Sequence, residues 1–179
     1  YHTPLQCMRL YIHEINRTFS DRLNDEADLN KFRELLNGCY QRAFKEVKGL
    51  KEEEIFSEPL IFTEFHNQPG GIPTYLGVPD KETITDVLNQ KLEEYNESNT
   101  IMELVLFRDA VAHVCRIARI IAQPRGNALL IGVGGSGKQS LSRLATFICG
   151  YEVRQLSVSS RYGVEDFKEE LRQMYITAG

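Results

Sequence analysis

An α/β fold preceded by an all-helical segment is what this sequence predicts, on three observations. In the first fifty residues the apolar positions recur every three to four residues, the period of a helix. Near residue 130 a short apolar run leads into a glycine-rich turn and then into another helical pattern. Beyond Gly150 an alternating segment and one more helical pattern repeat the order strand then helix, as an α/β unit requires.

Taken in order, Met8, Ile12, Ile15, Phe19 and Leu23 predict a first helix. Leu29, Phe32, Leu36, Cys39 or Tyr40, Phe44 and Val47 predict a second, with Asp28 as its cap. The two form an antiparallel pair that turns near Asn24 and Asp25. Residues 56–80 hold four of the six prolines and read as a linker or long loop, with Leu60, Ile61 and Phe62 packing on a neighbouring surface. A third helix runs from 81 to about 95, capped by Asp80, with Ile84, Val87, Leu88 and Leu92 buried. A fourth carries Leu104, Phe107, Val111, Val114, Ala118 and Ile121 on one face and stops at Pro124. Residues 128–131 suit a strand buried on both faces. The helix after the glycine turn buries Leu141, Leu144, Ala145 and Ile148 and ends at Gly150. Residues 151–158 alternate as a second strand, and a last helix after Gly163 has Val164, Phe167, Leu171 and Met174 or Tyr175 on one face. Two strands do not make a stable covered sheet, so these are the opening of a larger one.

The chemistry sits in Gly132-Val133-Gly134-Gly135-Ser136-Gly137-Lys138-Gln139-Ser140. The spacing is G-x-x-x-x-G-K, that of a phosphate-binding loop. Its glycines let the backbone curl so that several N–H groups converge on one anion. The helix that follows adds its positive end, and Lys138 supplies a point charge for the β- and γ-phosphates of ATP. Strand, glycine loop, helix is the order this chemistry needs, which makes a glycine turn beside a surface lysine the weaker reading. The fold class is therefore an α/β P-loop NTPase fragment behind an all-α segment, with ATP or ADP as ligand. The Ser or Thr that usually follows the lysine and ligates Mg²⁺ is here Gln139. An amide oxygen suits a hard cation, though on a longer neutral arm, so Gln139 is the candidate Mg²⁺ ligand. Ser140 lies about 100° further round the helix and is turned away from that spot.

Composition narrows the class. The chain has 179 residues, room for one domain or two small ones, and its 42% hydrophobic content suits a soluble globular protein. Apolar stretches such as Leu104-Val105-Leu106-Phe107 fall far short of the roughly 20 residues of a membrane span. The start, Tyr1-His2-Thr3-Pro4, has no initiator Met and no signal-peptide pattern, and reads as a cut from a longer chain. Cys7, Cys39, Cys115 and Cys149 form no C-x-x-C pair and are expected as buried free thiols in a reducing compartment. The Asn16 and Asn96 glycosylation patterns are then coincidences. Net charge is −4, yet Arg116, Arg119, Arg125, Lys138 and Arg143 cluster around the glycine loop. No aromatic residues interleave with them, which argues against a nucleic-acid partner. His13-Glu14-Ile15-Asn16-Arg17 begins like a zinc-protease motif but ends in arginine, so it cannot offer two histidines to zinc and reads as a helix surface. His2, His66 and His113 lack ligand spacing.

Three stretches carry a resemblance: residues 101–107, His113-Val114-Cys115-Arg116-Ile117, and residues 124–141 through the glycine loop. They resemble the start of the fourth AAA+ module of dynein heavy chains, and the Gly-Lys-Gln-Ser ending is similar to the axonemal members. His13-Glu14 with Arg17 and Asp21-Arg22-Leu23 is similar to the helical lid that closes the third module. The resemblance covers nearly the whole chain, most weakly at 56–80. It implies that residues 1–55 are the lid of the third module, 56–80 a linker, and 81–179 the N-terminal part of the fourth. It implies an ATPase ring motor of cilia and flagella, in the axoneme, with microtubules, intermediate and light chains, and adjacent AAA+ modules as partners. No membrane or nucleic acid is expected. Leu104 and Val105 match a position that contacts adenine, and they read equally as ordinary core residues. The acidic pair and arginine finger of hydrolysis are implied to lie outside these residues, so no catalytic residue is assigned here. A different P-loop ATPase or kinase, and a structural nucleotide-binding module without turnover, are the alternatives.

Overall fold

The computed structural model describes residues 3–44, 46–47, 50–66 and 74–178, which form helices around two apolar cores. Residues 67–73 of the expected linker, and His2, lie outside the described residues.

The first core joins α1 (Pro4–Ile15), α2 (Glu26–Phe44) and the single turn α3 (Glu52–Ile55). Met8, Ile12, Leu36, Tyr40 and Ile55 fill it, and Tyr11 meets Phe44 edge to face with ring centres 5.8 Å apart. Thr3 caps α1, and Pro4 opens it where a missing N–H is harmless. The expected stripe through Phe19 breaks after Ile15. A π turn, Asn16–Ser20, takes up about one more residue than an α turn, so Phe19 rotates off the buried face. α2 begins ahead of Asp28: Asp25 Oδ1 accepts the Ala27 N–H at 2.7 Å, and Glu26 and Asp28 both occupy the first turn, where the positive helix end favours acids.

The second core joins α4 (Lys81–Ser98), α5 (Arg108–Ala122) and α6 (Lys138–Ile148). Ile84, Leu88 and Leu92 of α4 meet Val111, Val114 and Ala118 of α5 and Leu141, Leu144 and Ala145 of α6. Asp80 caps α4 as expected, accepting from the Thr83 N–H at 2.7 Å. α5 starts at Arg108, so Leu104 and Phe107 are not on it. Asn96 explains the delay: it accepts from the Met102 N–H at 2.8 Å and donates to the Met102 carbonyl at 3.3 Å, fastening this stretch to α4 before a helix begins. After α5 the chain doubles back so tightly that a Cβ on Gly126 would sit 1.7 Å from the Ile120 carbonyl oxygen.

The two expected strands do not form. Among the described residues the only sheet pairs β1 (Phe62–Thr63) antiparallel with β2 (Leu76–Gly77). Leu129 and Ile131 are 86% and 88% exposed, and Val153 and Val158 are exposed as well. Alternation or an apolar run proposes a strand, but only a second backbone in register makes one, and neither segment meets a partner here. α7 (Val164–Ala178) likewise leaves Val164, Phe167 and Tyr175 of its apolar face exposed.

Residues 55–66 lie across both cores: Ile55 and Leu60 pack on the first, Ile61 and Phe65 on the second. The Arg9 guanidinium holds this stretch by donating to the carbonyls of Glu54, Ser57 and Pro59 at 2.8, 2.9 and 2.8 Å. Of the four thiols expected to be buried, Cys115 is buried and Cys149 half-buried, while Cys7 and Cys39 are exposed. Each exposed thiol is one residue, about 100° of helix, from the buried neighbours Met8 and Tyr40.

Candidate nucleotide-binding site

α6 sets the site. Its face of Leu141, Leu144 and Ala145 is locked against α5, which fixes where its first residue, Lys138, emerges. Gly135 and Gly137 take φ of 76° and 78°, the left-handed region that a glycine enters without strain. Gly137 is the N-cap and, lacking a side chain, caps nothing. The first bond to close the helix runs from the Leu141 N–H to the Gly137 carbonyl at 2.9 Å. The N–H groups of Lys138, Gln139 and Ser140 therefore keep the free direction of every helix start, aligned with the positive end of the dipole. At the other end Gly150, with φ of 73°, closes α6: its N–H donates to Phe147 and the Tyr151 N–H to Thr146, at 3.0 and 3.1 Å.

The Lys138 ammonium folds over the loop. It donates to the carbonyls of Gly132 and Val133 at 2.8 and 2.6 Å and to Ser136 Oγ at 2.9 Å, which engages all three of its protons. The loop is on the surface, with Val133 79% exposed. Gln139 is exposed and Ser140 half-buried, and neither side chain is hydrogen-bonded among the described residues. No group of three or more His, Cys, Asp or Glu that could hold a metal occurs among the described residues. The Gln139 amide oxygen fits the usual mode of Mg²⁺, which keeps several waters and takes phosphate oxygens beside a few protein ligands.

Leu104 and Val105 part company. Leu104 is half-buried against the second core, while Val105 is exposed and its carbonyl accepts from the Phe107 N–H at 3.1 Å. A cavity of about 730 Å³ lies elsewhere; Glu14, Tyr75, Arg119, Ile148 and Cys149 line it with other residues, none of them from the loop.

Sequence reasoning missed a polar network between the two cores. Arg119 donates to both oxygens of Glu14, 105 positions away, and the Tyr75 hydroxyl donates to Glu14 Oε1 at 2.9 Å. Burial alone would raise the Glu14 pKa; the hydrogen bonds from Arg119 and Tyr75 outweigh it and the net shift is downward. His13, expected on a helix surface, is only 4% exposed. Its Nδ1 lies 2.9 Å from the Leu60 carbonyl and its Nε2 3.0 Å from the Tyr75 hydroxyl, and burial pushes its pKa down to about 4. The Leu60 carbonyl requires the proton of the neutral ring on Nδ1. The sequence motif around His13 flagged the right helix, but no spacing pattern links it to Tyr75 or Arg119.

Two family models match the chain. One described as P-loop containing dynein motor region D4 covers residues 102–179, and one described as AAA+ lid domain covers residues 1–53. Dynein beta chain, flagellar outer arm, of Chlamydomonas reinhardtii is 48% identical over 182 residues, covering 100% of this chain. Dynein axonemal heavy chain 17 of Homo sapiens is 46% identical over 98% of the chain. Dynein beta chain, ciliary, of Tripneustes gratilla is 42% identical over 98% of it. The chain spans about 4% of the length of each of these relatives.

Proposed function

The chain belongs to the dynein heavy-chain family, and from that premise we propose that it is a nucleotide-binding stretch of an ATP-driven microtubule motor of the ciliary or flagellar axoneme. Residues 1–55 are the lid of the third AAA+ module, 56–80 the linker, and 81–179 the start of the fourth. The separation into two apolar cores supports this division. Microtubules, neighbouring AAA+ modules and the motor's intermediate and light chains are the partners.

The observation that carries the site is the uncapped start of α6 beneath a lysine that spans its glycine loop. The N–H groups of residues 132–140 hold the phosphates, and Lys138 exchanges its bonds to Gly132, Val133 and Ser136 for phosphate oxygens. Leu104 and Val105 offer backbone and apolar surface to adenine. Gln139 is the protein oxygen for Mg²⁺. Bound ATP supplies the phosphoryl group whose transfer to water drives the motor; the residues here position it and neutralise its charge.

Lys138→Ala in the complete protein tests the assignment. A hydrogen bond to a charged group contributes about 1.5–3 kcal/mol, so ATP affinity at this module should fall roughly ten- to a hundredfold or more. Unchanged nucleotide occupancy, by fluorescent-nucleotide titration or structure, would remove the phosphate-loop assignment.

A further inference from the structure

A second group of cations lies apart from the phosphate loop and shares no residue with it. A cavity of about 430 Å³ opens between the π turn after α1, the start of α4 and one face of α5, and Arg17, Lys81, Arg108, Arg116 and Arg119 are in its wall. Arg119 is engaged by Glu14. The other four donate no hydrogen bond among the described residues. Their carboxylate neighbours are few and shared. Asp21 Oδ1 alone faces Arg17 at 3.2 Å and Arg116 at 3.4 Å. Glu58 Oε2 stands 3.8 Å from Lys81 and 3.9 Å from Arg108, and Asp109 is the remaining acid of the wall.

Two atoms make the arrangement specific. The Nε of Arg17 is buried without a hydrogen-bond partner; the Nε of Arg116, also buried, makes no hydrogen bond and has Asp21 Oδ1 at 3.4 Å as its ion-pair neighbour. A buried N–H without an acceptor carries its full desolvation penalty, and in folded proteins such orphans are few and commonly mark a bound water or ion. The guanidinium groups also crowd one another: burial lowers the Arg17 pKa, Asp21 opposes this, and Arg116 and Arg119 lower it again.

We propose that this cavity binds a phosphate-class oxyanion between Arg17 and Arg116, with Lys81 and Arg108 completing the cradle. The planar fork of arginine matches tetrahedral oxyanions, and a lysine adds an adaptable point charge. The volume exceeds that of one phosphate, so ordered waters fill the remainder. Because Arg17 follows α1 and Arg116 lies on α5, the bound anion ties the two cores together beside the Glu14–Arg119 pair.

The test uses the complete protein carrying Lys138→Ala, which silences this chain's phosphate loop, with inorganic phosphate as the probe. Electron cryomicroscopy with and without millimolar phosphate reads the cavity, and equilibrium binding of radiolabelled phosphate counts sites and affinity. Phosphate-dependent density between Arg17 and Arg116 is expected. Arg116→Gln should weaken that site by about tenfold or more, the loss of one charged hydrogen bond. Lys81→Gln, at a half-exposed side chain outside both cores, should weaken it severalfold with the fold intact. Water alone in the cavity, a carboxylate from another stretch of the protein between the arginines, or unchanged phosphate binding in both variants would each overturn the proposal. Nucleotide affinity in an Arg116→Gln protein that retains Lys138 reports separately on the phosphate loop.

Discussion

In the function proposed above, Gln139 would offer Mg²⁺ a neutral amide oxygen on a long arm where a compact hydroxyl is usual, and that arm would have to be ordered before ligating. ATP binding should therefore depend less on Mg²⁺ in the native protein than in a Gln139→Thr variant. Titrations of ATP affinity against magnesium for the two proteins test this, and superimposable curves would place Gln139 away from the metal. His13 makes a second residue-scale prediction. Its folded pKa of about 4 lies below the ordinary 6.5, so burial favours the neutral ring. Its contribution is complete above about pH 6.5, is lost as pH falls towards 4, and is flat below, reaching at most ~3 kcal/mol. The Glu14 carboxylate, with a lowered pKa, begins to lose its contribution as pH falls below its ordinary 4.5 and loses the rest at more acidic pH. Hydrogen exchange of peptides covering α1 and residues 55–66, corrected for intrinsic rates, should show protection declining between pH 6.5 and 4. His13→Gln should flatten that decline; an identical pH slope in the variant would show that His13 is not its source.

At the scale of elements, helices were legible because their signals are local. Asp80 before α4, Pro124 beyond α5 and Gly150 beyond α6 act within a turn or two, and the apolar faces of α4 and α6 are the buried ones. The errors are local competitors that periodicity cannot see: a π turn after Ile15, Asp25 in place of Asp28, and the Asn96 side chain holding Met102. The α5–α6 contact should carry the phosphate loop's position. Leu144 is fully buried at its centre, so Leu144→Ala should destabilise this core by about 2–5 kcal/mol. Hydrogen-exchange protection of α6 should fall and ATP affinity with it. Arg119→Ala, which breaks the link to Glu14 between the cores, should leave α6 protection near its native level; equal losses in both variants would mean that the two cores are one cooperative unit.

At the scale of the molecule, the 179-residue chain by itself should show helical circular dichroism without a sharp cooperative melt and should not turn over ATP. It carries two separate cores, its expected strands are unpaired, and Leu129, Ile131 and Val133 are exposed. Steady hydrolysis by this chain, abolished by Lys138→Ala, would overturn that expectation and favour a self-sufficient P-loop enzyme. The sequence by itself determined where most helices lie, the glycine-rich turn before α6 and the family, because capping, periodicity and motif spacing are properties of neighbouring residues. Tertiary structure decided the rest. Whether residues 128–131 and 151–158 become strands depends on a partner backbone, which alternation cannot supply. Whether His13 is buried, and whether Glu14 meets Arg119 or Asp21 serves both Arg17 and Arg116, depends on how two cores face each other. Contacts between residues a hundred positions apart leave no spacing in the chain, so burial and charge pairing there emerge only once the helices have packed.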